Sequence, residues 1–148
     1  SAAKDAFNRA IANDVKYYDA NEASPGTGGG DYSDGNVDDD KYAAACEMYL
    51  TAYALPDENV ENYKNYVTGS GYFKNMGQWD WARVAGAATL SLYTVENDLD
   101  ASDRTSIEDN IISFANQIKT AIDNEGYPSN LNYPSEFGQY PWGSIRSS

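Results

Sequence analysis

The chain has 148 residues, 41% of them hydrophobic, with 23 acidic against 10 basic side chains and a formal net charge of −13. This is the composition of one folded domain with one core, not of a disordered tail. The charge repels phosphate backbones and anionic bilayers, so nucleic acid and membrane are excluded as partners, whereas a neutral polymer or a cation is compatible.

Histidine is absent, which removes Ser-His-Asp and Cys-His nucleophilic arrangements and the common zinc and copper sites. The one cysteine, Cys46, lies in an apolar helical stripe and reads as a small buried hydrophobe. No internal disulfide is available, so the redox compartment stays open. Thirteen of the aromatics are tyrosine, a residue suited either to half-wet helix interfaces or to a sugar-lined groove. No apolar run is long enough to span a bilayer, and no signal peptide is present, so the signal of a secreted parent is expected outside this chain.

Apolar spacing predicts five helices. The first stripe is Ala3, Phe7, Ala10, Ile11, Ala12 and Val15, and the second is Tyr42, Ala45, Cys46, Tyr49, Leu50 and Tyr53. A third begins at Pro56-Asp57-Glu58, where proline fits a first helical turn and acids suit the dipole. It carries Val60, Tyr63, Tyr66 and Val67 and stops at Gly69. The fourth is expected over 80–93. The fifth, from about Ser102, carries Ile107, Ile111, Ile112, Ala115, Ile118 and Ile122 and ends at Gly126, with Pro128 just beyond. Residues 24–35 and 127–141 are turn-rich. The fold class is all-α, built of antiparallel helical hairpins, with no boundary between two domains.

Three segments in order, VDDDKYAAACEMYLTAY (37–53), WDWARVAGAATLSLY (79–93) and YPWGSIR (140–146), resemble family 9 of the glycoside hydrolases. Asp39-Asp40 take the place of the family's acidic pair, and Ala43 stands where tryptophan is usual. The resemblance implies an (α/α)6 barrel, and, because this chain is much shorter than such a catalytic domain, an internal piece spanning residues 1–148. Part of a barrel leaves inner helix faces uncovered, a serious loss at about 25 cal/mol per Å² of apolar surface. The remaining segments of the parent domain are therefore expected as partners. The implied activity is an extracellular endo-β-1,4-glucanase that cleaves cellulose or related β-glucans with inversion, using one carboxylate as base and another as acid.

Neither catalytic carboxylate is expected here. Tyr18-Asp19-Ala20-Asn21-Glu22 resembles the family's Asp-Ala-Gly-Asp base motif but lies too close to Asp39, and the acid glutamate is expected beyond residue 148. For 31–40 two readings stand. One is a solvated loop in which Asp38 to Asp40 cap a helix. The other, implied by the resemblance, is a structural calcium held by Gly35, Asn36, Asp39, Asp40 and Asp80, calcium taking about six to eight oxygens. Asp34, Asn36 and Asp38 alternate as in an EF-hand, but that loop's glycine and final glutamate are missing. Substrate contacts are assigned to Trp142, Arg146 and Trp79, with Tyr140 and Tyr127 weaker candidates and Trp81 read as core. The rival reading is a non-catalytic acidic helical module that binds carbohydrate or protein. A different (α/α)6 glycosidase family is the third.

Overall fold

The structure is a computed structural model and describes residues 1–13, 35–57, 59–78 and 82–124. Its described elements are α1 (Ala2–Ala12), α2 (Asp38–Ala54), α3 (Val60–Thr68), α4 (Ala85–Thr94) and α5 (Ala101–Asn124).

Gly35, at φ 74°, turns the chain toward α2. The Asn36 side-chain oxygen then accepts from the Asp38 amide at 3.1 Å, satisfying a free donor at the helix start. Asp38, Asp39 and Asp40 form the first turn, where their charge opposes the positive end of the dipole. They lie inside the helix. Val37 holds the N-cap position without a side-chain hydrogen bond, so the three acids line the first turn rather than cap it, and the side chain that reaches a first-turn amide is that of Asn36, one residue before the cap. The helix stops at Leu55, and Pro56 follows, unable to continue it.

Two starts differ from expectation. α3 begins at Val60 rather than at Pro56, because Asp57 Oδ1 accepts from both the amide and the side chain of Asn59, each at 2.9 Å, and holds a turn there. Asp57 also pairs with Lys4 of α1. Lys4 and the Asn59 amide hold its carboxyl at about 2, below its ordinary range. α4 begins at Ala85, not at residue 80.

α2 occupies the centre and packs against α1, α3 and α4, while α5 packs on α4. Its buried side chains are Asp39, Tyr42, Ala45, Cys46, Tyr49, Leu50 and Ala52. Cys46 is sealed, and burial pushes its thiol up to about 12. Phe7 of α1 meets the rings of Tyr63 and Tyr66 edge-on, each at 5.5 Å, a favourable aromatic geometry.

Polar contacts set helix direction. An Asp39 carboxylate oxygen accepts from the Val84 amide at 2.9 Å. The Tyr42 and Thr89 hydroxyls share a hydrogen bond of 2.8 Å. Tyr49 donates to Asp98 Oδ1 at 2.5 Å. Partners advance together along the chain, so α2 and α4 run parallel. α3 is the return limb: Lys64 ion-pairs with Asp98 at 3.4 Å, beside Tyr49, while Tyr72, after α3, accepts from Asn36 Nδ2 at 2.7 Å. α5 returns along α4 in the same manner. Arg104 donates to the Tyr93 carbonyl at 3.0 Å near its start, and further on Asn110 reaches the Lys74 carbonyl at 3.0 Å. The hairpins are thus antiparallel, as expected, and the central helices of successive hairpins are parallel.

Gly86 lies in the first turn of α4 against Gly77. A β-carbon there would stand 2.6 Å from the Gly77 carbonyl oxygen. Gly86→Ala is expected to destabilise the domain by about 1–3 kcal/mol, since a backbone clash outweighs the gain of about 1 kcal/mol in helix propensity. Gly77→Ala, which meets nothing within 4 Å, is expected to be tolerated. Denaturant midpoints of the two variants check the contrast.

The hydrogen bond from Tyr49, aided by Lys64, holds the Asp98 carboxyl below its ordinary range. The folded state therefore gains from Asp98 above the ordinary carboxylate range and loses that gain as pH falls through the lowered value. Tyr49→Phe is expected to cost about 1 kcal/mol at neutral pH, with the difference shrinking in acid. Nuclear magnetic resonance titration of the Asp98 carboxyl carbon should show it moving up toward its ordinary value.

Candidate functional site

The acidic end of α2 is the site the described residues build. Asp39 is 3% exposed, an uncommon environment for a carboxylate. One oxygen takes the Val84 amide, at the N-terminal end of α4, where the helix dipole favours negative charge. The other, Oδ1, is buried and has no hydrogen-bond partner among the described residues. An acceptor left bare in a dry site costs about 1–3 kcal/mol, more when charged. A cation satisfies such an oxygen, and an oxygen-only donor set suits a hard cation such as calcium.

Nearby groups are consistent with this. Asn36 commits both ends of its amide, Nδ2 to the Tyr72 hydroxyl and Oδ1 to the Asp38 amide. The left-handed turn at Gly35 fixes the loop that carries the Gly35 and Asn36 carbonyls. Asp40 follows Asp39 in the first turn and is exposed. The predicted fifth ligand, Asp80, lies outside the described residues. Among the described residues alone, no group of three carboxylates gathers as a metal cluster. The buried, unpartnered Oδ1 of Asp39 is the feature here that a calcium ion would fit.

Of the predicted substrate contacts, Trp142, Arg146, Trp79 and Tyr140, with Tyr127 beside them, lie outside the described residues, as do Trp81 and the segment 18–22. The sequence reading missed the cross-helix partners of this end of the molecule. It did not pair Asp39 with Val84, Tyr42 with Thr89 or Asn36 with Tyr72. The only available signal was a tyrosine at an interior position, which obliges a hydroxyl partner somewhere.

Comparison with known proteins agrees with this architecture. The sequence profile described as glycosyl hydrolase family 9 matches residues 1–148. The cellulose 1,4-β-cellobiosidase of Acetivibrio thermocellus is 32% identical over 158 residues, covering 94% of this chain and 17% of that protein. Endoglucanase C of Cellulomonas fimi is 31% identical over 123 residues, covering 79% of this chain and 10% of that protein. The crystal structure of a metagenome-derived family 9 endoglucanase superposes with a TM-score of 0.64 at 19% identity, over 84% of this chain and 21% of that one. The chain therefore spans a fifth or less of the first two relatives, and its parallel central helices with outer returns are part of an (α/α)6 barrel. A profile match along the whole length, joined to that fold, makes this chain a member of glycosyl hydrolase family 9.

Proposed function

We propose that this chain is an internal part of the catalytic domain of a secreted endo-β-1,4-glucanase, supplying cleft wall and a structural calcium site. The observation that carries the reading is the family match across all 148 residues, in the company of relatives named cellobiosidase and endoglucanase. No described helix is long and apolar enough to cross a membrane. The substrate is cellulose or a related β-glucan, a neutral polymer compatible with a chain of net charge −13.

Inversion needs two carboxylates placed far enough apart to admit a water, and this chain assigns neither. Its part is to hold the polymer. Trp142, Tyr140 and Trp79 offer aromatic faces for the C–H face of a sugar ring, and Arg146 offers donors for hydroxyls or for a carboxylate. The Gly35 and Asn36 carbonyls with Asp39, Asp40 and Asp80 would hold a calcium ion, which would act as a cross-link between residues 35–40 and residue 80. It takes no part in bond cleavage. The bare Oδ1 of Asp39 supports this reading.

Two experiments test it. The whole domain is expected to hydrolyse soluble cellulose derivatives with inversion, and Trp142→Ala to weaken it mainly through KM. The chain on its own is expected to show no turnover; activity lost on Asp19→Ala or Glu22→Ala would reverse the assignment of those residues. For the metal, chelation of calcium-loaded protein is expected to lower Tm, by an amount equivalent to about 2.7 kcal/mol from a hundredfold excess over Kd. Asp80→Ala and Asp39→Asn should each abolish that sensitivity. An unchanged melting curve would leave the acids as a favourable helix start only.

A further inference from the structure

We infer that the outer face between α1 and α3 carries a second carbohydrate-binding site, a trough across Tyr66 that takes a neutral β-linked glycan. A groove of about 530 Å³ lies between these helices, lined by Asn8 of α1 and by Asn59, Asn62, Asn65 and Tyr66. A hollow of about 600 Å³ adjoins it and shares Asn65 and Tyr66, continuing toward Ser70 and Tyr72. The two meet at one exposed aromatic, Tyr66, which is 45% exposed. A trough with a tyrosine at its midpoint fits a chain-like ligand better than a compact one.

The lining chemistry selects the ligand class. Asn8, Asn62 and Asn65 are exposed, and their side chains make no hydrogen bond to any described residue. Each amide presents donors and an acceptor together, which matches hydroxyls that also donate and accept. Lys4, the cation at this groove, is paired with Asp57, and Lys41, which lines the adjoining hollow, lies 4.0 Å from the carboxylate of Asp38. The groove therefore offers no unpaired positive charge to an acidic polymer, and the net charge of the chain repels one. Tyr66 is held in place by Phe7, whose ring meets it at 5.5 Å and 89°. Its exposed face is thus ordered before binding, which lowers the entropic cost of stacking. None of these residues belongs to the candidate calcium or cleft set.

The identification of the glycan as a β-glucan rests on the proposed function. The site itself rests on the trough. The test is affinity electrophoresis of the full chain in gels containing mixed-linkage β-glucan, xylan or mannan, compared with hydrolysis by the whole domain. Binding to β-glucan is expected, weakened about fivefold or more by Tyr66→Ala and by the paired change Asn62→Ala with Asn65→Ala. The asparagine pair is on the helix surface and should leave Tm unchanged, so it decides the matter if Tyr66→Ala unfolds. Retardation that is absent in all three gels, or indifferent to both sets of changes, overturns the site. Tyr66-dependent binding to xylan or mannan alone, with no hydrolysis of β-glucan, keeps the site and overturns the glucanase reading.

Discussion

Three polar contacts fix how α4 lies on α2, and the rest of the molecule is arranged around that pair. Asp39, Tyr42 and Tyr49 rise along one helix and meet Val84, Thr89 and Asp98 in the same order on the other segment. Apolar contact between Ala-rich helices is permissive about register, because one small side chain fits where another did. Hydroxyls and carboxylates are not permissive. A slip of one turn would strand all three groups, at about 1–3 kcal/mol each. The tyrosines thus specify an alignment that burial alone would leave loose.

That alignment also explains why the connecting helix must lie outside. Two central helices that run parallel cannot be joined by a short turn, so the chain comes back along α3, tied down by Lys64 at one end and Tyr72 at the other. Repetition of this step produces a barrel, in which each inner helix is aligned on the next and each outer one is a return. The candidate calcium site falls at the first of the three contacts. The group that sets the alignment at this end, Asp39, is also the one with an oxygen to spare. Architecture and the candidate site therefore meet in one side chain.

The stripes that make helices were legible because they are local. Tyr42, Ala45, Cys46, Tyr49 and Leu50 recur at helical spacing and are all buried. The fifth stripe was less faithful: Ile107 is buried, but Ile112 is 52% exposed. Periodicity reports an apolar face and does not say whether a described neighbour covers it. Helix starts were misplaced where a side chain competes with the backbone. Asp57 draws the chain into a turn that delays α3, although Pro56 and its acids spell a helix start. The acidic pair of the site was visible in the sequence, whereas the burial of Asp39 and its bond to Val84 join segments 45 residues apart and leave no local trace. Gly86 gave no warning either, since its reason is the Gly77 carbonyl approaching from another segment.

The burial of Cys46 has a bearing on how the domain opens. Its sulfur sits one turn above Tyr42 on the face of α2 that the neighbouring helices cover, with no solvent exposure and its ionisation suppressed. Thiolate is the reactive form, so a labelling reagent meets this atom only after the interface has parted. The chain holds a single thiol, which makes it a stopwatch built into the central joint. The pace of its modification would count separations of α2 from its neighbours one at a time, without any engineered probe.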